Sequence, residues 1–120
     1  MATSTSSTLD PKLVASRCLE AWTSGDFDGA RMFLDEHVVF NGPLGRTEGA
    51  DAYIAGVRGV AQTLQGIEKR RIFGDGEDVC IIYDLLTKSG AIPTAGWYRI
   101  RHGVILAVNA FFDARSFGRP

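Results

Sequence analysis

The second half of this chain limits its fold more than any other feature. From Gln65 onward, strand-forming runs follow one another with short turns between them and no helical periodicity. Residues 66–73, 79–87, 92–101 and 104–114 read as strands, broken at 74–78, 88–90 and His102-Gly103. Parallel neighbours need a crossover of about a dozen residues or more, so these strands are expected to form an antiparallel meander.

The first half carries the helices. Asp10-Pro11 places an N-cap before a proline at the first helical position. Val14, Ala15, Cys18, Leu19 and Trp22 then recur as an apolar stripe, and Gly25 stops the helix. Asp26 caps a second, short helix carrying Phe27, Ala30, Phe33 and Leu34. A strand at 37–41 ends at Gly42-Pro43, and Thr47-Glu48-Gly49 leads into a third helix. That helix shows Ala50, Tyr53, Ile54, Val57, Val60, Ala61 and Leu64 at helical spacing, with Gly56 and Gly59 expected to allow close packing on a sheet. Helices followed by a meander predict an α+β fold with the helices on one sheet face.

Length and charge narrow the function. A chain of 120 residues fits a single domain, read here as residues 10–117 after a disordered polar tail at 1–9. The net charge of −1 gives no field to attract nucleic acid or acidic lipid. No apolar run approaches the roughly 20 residues of a membrane helix, and the N-terminus lacks the basic and apolar regions of a secretory signal. A cytoplasmic protein is the expectation. Cys18 and Cys80 lie in apolar segments without metal or disulfide spacing and read as small buried hydrophobes. No nucleotide, zinc or nucleophile motif is present, and neither a cofactor nor a metal is expected.

Asp84 stands out as a carboxylate in an apolar strand. Alternation puts it on one face with Cys80, Ile82 and Leu86, where it must be paired or protonated. Such a group is either a functional acid or base or half of a structural ion pair. Asn41 either orients a ligand oxygen or serves the turn that follows it. Trp22, Tyr53 and Tyr98 are aromatics that could line a cavity or fill a core. His37 and His102 read as solvated, and Glu68 to Arg71 as a charged, exposed sheet end. Alternation also puts Trp97, Arg99, Asn109 and Phe111 on the face away from the helices, which predicts a homodimer through that face.

The segments AWTSGDFDGA at 21–30, FLDEHVVFNGPL at 33–44, GWYRIRHGV at 96–104 and NAFFD at 109–113 resemble the superfamily of ketosteroid isomerase, SnoaL-like polyketide cyclases and nuclear transport factor 2. The resemblance implies a cone-shaped, curved, mainly antiparallel sheet of cystatin-like type, with three helices enclosing a pocket. The pocket residues it implies are Cys18, Trp22, Tyr53, Ile82, Tyr98, Ala110 and Phe112. The isomerase's oxyanion-hole tyrosine and aspartic acid fall at Cys18 and Gly96, and its basic aspartate at about Asn41 or Gly42. In the limonene epoxide hydrolases, two aspartates, an arginine and an asparagine form the site. Asn41 and Asp84 match two of these, but the arginine falls at about Ile82 and the second aspartate at about Ala110. Neither typical activity is therefore expected. The expectation is a domain that binds a small apolar molecule, as an isomerase, cyclase or hydrolase using Asp84 and Asn41, with a non-catalytic ligand-binding or dimerisation domain as the alternative.

Overall fold

A computed structural model of the protein describes residues 10–117; the tail read over 1–9 lies outside the described residues. Helix α1 spans Pro11–Thr23, α2 Phe27–Arg31 and α3 Ala50–Ala61. The strands are β1 Leu34–Gly42, β2 Gly45–Glu48, β3 Leu64–Asp75, β4 Asp78–Thr87, β5 Gly90–Arg101 and β6 Val104–Phe111, followed by a 3-10 turn at Ala114–Phe117. They form one curved sheet in the order β2-β1-β6-β5-β4-β3. All pairs are antiparallel except β1 with β6. The α+β fold with a curved, mainly antiparallel sheet agrees with the sequence.

Local chemistry explains the element ends. The Asp10 carboxylate accepts from Lys12 N at 3.0 Å, and Asp26 accepts from Gly29 N at 2.9 Å, so both helix starts carry side-chain caps. His102 and Gly103 both have positive φ, 54° and 80°, as a two-residue hairpin turn between right-twisted strands requires.

Four readings are corrected. Leu34 belongs to β1 rather than α2, because Ile105 N donates to Phe33 O at 2.8 Å and anchors the start of β1 on β6. Leu64 opens β3 rather than extending α3; Thr63 N and Oγ1 both turn back onto Val60 O and close the helix. Residues 45–48 are a strand, because the Gly42-Pro43 bend returns the chain alongside β1 in a tight hairpin. Gly56 and Gly59 do not serve close packing: a Cβ at either would meet nothing within 4 Å.

The core lies between the helices and the inner sheet face. Val14, Ala15, Cys18, Leu19 and Trp22 of α1 and Ala50, Tyr53, Ile54 and Val57 of α3 are buried against it. The sheet contributes Val79, Ile81, Tyr83 and Leu85 of β4, with Tyr98, Ile100, Ile105 and Val108 beside them. Among the described residues, no helix is long and apolar enough to cross a membrane.

Candidate functional site

The helices do not fill the concave side of the sheet. A cavity of about 290 Å³ remains between Trp22 of α1, Tyr53 and Val57 of α3, and the inner faces of β1, β4, β5 and β6. Sheet alternation selects its walls: Phe40 from β1, Tyr83 and Leu85 from β4, Thr94, Gly96 and Tyr98 from β5, and Val108 and Ala110 from β6. Phe40 packs on Tyr53 with ring centroids 5.6 Å apart and planes tilted by 55°, a favourable aromatic geometry. Leu44, Arg46 and Gly56 line the cavity and are solvent-exposed, which marks its mouth.

The lining has few polar groups. Among the described residues it includes no carboxylate and no imidazole, and Arg46 at the mouth is ion-paired with Glu48 at 2.9 Å. Burial pushes the phenols of Tyr53, Tyr83 and Tyr98 above their usual range, so all three stay neutral. For Tyr53, the nearby Trp22 indole N–H is a smaller, opposing influence. The Tyr98 ring lies back across Gly96, where an added Cβ would sit 3.2 Å from the hydroxyl oxygen. Thr94 donates its hydroxyl to Ile92 O at 3.1 Å. Two lining atoms are buried without a hydrogen-bond partner: Trp22 Nε1 and Thr47 Oγ1. Each such group costs roughly 1–3 kcal/mol in desolvation.

Of the residues expected at the site, Trp22, Tyr53, Tyr98, Ala110 and Phe112 line the cavity, and four do not. Asp84 lies on the outer sheet face, because β4 turns Val79, Ile81, Tyr83 and Leu85 inward. It is 6% exposed yet paired, its Oδ2 accepting from Arg70 Nε at 3.0 Å and also from Nη2. Ile82 shares that outer face, 36% exposed. Asn41 is exposed on the same side, opposite Asn109, while its neighbour Phe40 takes the inward position. Cys18 is fully buried behind the wall, where its thiol donates to Ala30 O at 3.6 Å; burial raises its pKa to about 12, so it is not a nucleophile at neutral pH. Cys80 is only half-buried, also on the outer face. His37 and His102 are exposed, as expected. Glu68 to Arg71 is more than a solvated run: Lys69 reaches Ser16 Oγ and Glu20 on α1, and Arg70 holds Asp84.

Phe40, Tyr83, Leu85 and Thr47 were not found from sequence. Tyr83 was detectable, since it alternates with Val79, Ile81 and Leu85 beside the residue that drew attention. No group of three or more His, Cys, Asp or Glu among the described residues is placed to hold a metal.

A curved mixed sheet backed by three helices places this chain among the nuclear transport factor 2-like α+β proteins. The profile of the SnoaL-like domain matches residues 15–110, and the chain belongs to that family. A protein from Kribbella flavida DSM 17836 is 30% identical, with a TM-score of 0.83 over 88% of this chain and 87% of that one. A nuclear transport factor 2-like protein of unknown function from Cytophaga hutchinsonii is 26% identical, with a TM-score of 0.77 over 90% and 94%. A limonene-epoxide-hydrolase-like epoxide hydrolase from M. tuberculosis shares the fold at 19% identity, with a TM-score of 0.71 over 86% and 82%. No curated protein matches the chain in sequence.

Proposed function

We infer that this SnoaL-like domain binds a small, largely apolar molecule in the cavity under α1 and α3, and does so without catalysis by a carboxylate. One observation carries this reading: apart from Arg46 at the mouth, the cavity is lined by aliphatic and aromatic side chains with neutral hydroxyl and N–H groups, and no carboxylate or imidazole of the described residues lines it. Proton abstraction needs a carboxylate or imidazole within hydrogen-bond reach. The carboxylate expected to act, Asp84, is on the other side of the sheet and already engaged by Arg70. Isomerase, cyclase or hydrolase chemistry through that residue is therefore the weaker reading, and the epoxide hydrolase relative lends its fold alone.

A volume of about 290 Å³ is roughly twice the ~150 Å³ cavity that takes up benzene. It suits a molecule of one or two rings better than a steroid. A thermal-shift panel of steroids, terpenoid epoxides, aromatic polyketides and bicyclic ketones tests this. The expected result is a raised melting temperature with the smaller compounds, which are recovered chemically unchanged. Conversion of the bound compound would overturn the non-catalytic reading.

The protein also presents an apolar outer sheet face, and its proposed macromolecular partner is a second copy of itself. Trp97, Phe111, Phe73 and Ile82 lie exposed there, on the side of the sheet opposite the cavity.

A further inference from the structure

The cavity's polar inventory carries one step more. Trp22 is 5% exposed, lines the cavity, and has an indole Nε1 with no hydrogen-bond partner. An indole N–H is a donor only, so nothing but an acceptor satisfies it. Within the protein, the Tyr53 hydroxyl is close enough to feel a weak hydrogen-bonding influence from Trp22, but not in a geometry that satisfies Nε1. The other indole in the chain contrasts with it: Trp97 Nε1 donates to Asp78 Oδ1 at 3.0 Å on the outer face. A buried donor left open in an otherwise apolar space defines where a ligand's polar atom goes.

We propose that Trp22 is the polar anchor of the cavity, its indole N–H donating to an acceptor oxygen, such as a carbonyl, of a neutral one- or two-ring molecule whose hydrocarbon body rests on Phe40, Leu85 and Val108. This rests on the ligand-binding reading above and adds the chemical class. A charged ligand is disfavoured, because the deep walls offer no counter-charge and Arg46 is held at the mouth by Glu48. A pure hydrocarbon would fill the volume but leave Nε1 unsatisfied.

The test uses two probes of nearly equal shape, 1-tetralone with a carbonyl and tetralin without. Their dissociation constants are measured by calorimetry on wild type and on Trp22→Phe. Trp22→Phe should weaken 1-tetralone about tenfold and tetralin no more than about twofold. In case the variant folds poorly, the wild-type indole N–H resonances give a second readout. The Trp22 signal should move downfield with 1-tetralone and not with tetralin, while the Trp97 signal stays put. If both probes bind but the substitution affects them equally and the Trp22 signal does not distinguish them, the anchor is overturned while the pocket stands. If neither probe binds at millimolar concentration, the ligand-binding reading falls and the anchor falls with it.

Discussion

Arg70 reaches back along the outer sheet face to clasp the Asp84 carboxylate, and a β-bulge makes the reach possible. Lys69 pairs with Tyr83 and Arg71 with Ile82, so Arg70 is an extra residue that β4 does not match. The bulge turns Arg70 to the same side as Asp84, where its Nε and Nη2 share one carboxylate oxygen. The two partners differ in exposure: the Asp84 side chain is 8% accessible and that of Arg70 is 53%.

That inequality predicts an asymmetric pair of mutants. Asp84→Asn frees a guanidinium that water can solvate, and should cost about 1–3 kcal/mol. Arg70→Met strands a buried carboxylate, and should cost more, about 3–5 kcal/mol. Chemical denaturation of both variants beside wild type checks the order. Equal small losses would mean that the pair contributes little, and a stabilised Asp84→Asn would mean that desolvating the carboxylate costs more than Arg70 returns.

Alkaline pH should unfold the protein by a tyrosine-linked route. The folded-state pKa values of Tyr53, Tyr83 and Tyr98 are raised by burial, and that of Cys18 is raised to about 12. Below the unfolded-state values all four groups are protonated in both states, and stability is full. Above about pH 9–10 the unfolded chain releases protons that the folded chain keeps, so stability falls as pH rises. The slope is roughly 1.4 kcal/mol per pH unit for each group ionised only in the unfolded chain. These are all three tyrosines of the chain, so phenolate absorbance should appear only together with loss of secondary structure. Phenolate signal from a still-folded protein would show at least one hydroxyl to be reachable by water.

Much of the architecture was legible in the sequence because periodicity and turn chemistry are local. The α1 stripe from Val14 to Trp22, the Asp10 and Asp26 caps and the His102-Gly103 hairpin all sit where their residues imply. The site was half legible. Trp22, Tyr53, Tyr98, Ala110 and Phe112 do line the cavity, but the polar pair Asn41 and Asp84 does not. Alternation divides β4 into two faces without saying which faces the helices. Cys80, Ile82 and Leu86 look as apolar as Val79, Ile81 and Leu85, so the side cannot be read from β4 alone. It is decided by register: Ile81 meets Gly96 and Tyr83 meets Thr94, on the face that carries Tyr98, while Cys80 meets Trp97. The Arg70 bulge that satisfies Asp84 is likewise a long-range feature, set by pairing between strands.

Gly59→Ala should stabilise the protein by about 1 kcal/mol. Gly59 lies within α3, is exposed, and an added Cβ would touch nothing within 4 Å. Alanine then contributes helix propensity and a less flexible unfolded chain at no steric cost. A thermal melt of the variant checks this, and an unchanged or lowered midpoint would mean that the α3 backbone at that position is not helical in solution.

The outer sheet face supports the last prediction, a homodimer. Register aligns two adjacent rows across it: Phe73, Cys80, Trp97 and Asn109 in one, and Arg71, Ile82, Ala95 and Phe111 in the next. Phe73 and Phe111 are each 56% exposed and Trp97 44%, so the rows form a contiguous apolar patch instead of scattered single residues. Asp78 is bound by Arg99 and Trp97 and Asp84 by Arg70, which leaves Arg71, bonded only to Arg70 O, as the charge in these rows without an acidic partner among the described residues; at the end of its row it can stay in water when the face pairs with a copy of itself. Two such faces packed about 10 Å apart would bury the aromatic rows of both chains. Light scattering at tens of micromolar should therefore give twice the 13.0 kDa chain mass. Phe111→Asp should return a single-chain mass with an unchanged circular dichroism spectrum, because the side chain reaches solvent and leaves the core intact. A wild-type protein that scatters as a single chain at that concentration, or a Phe111→Asp variant that remains dimeric, would rule this face out as the contact.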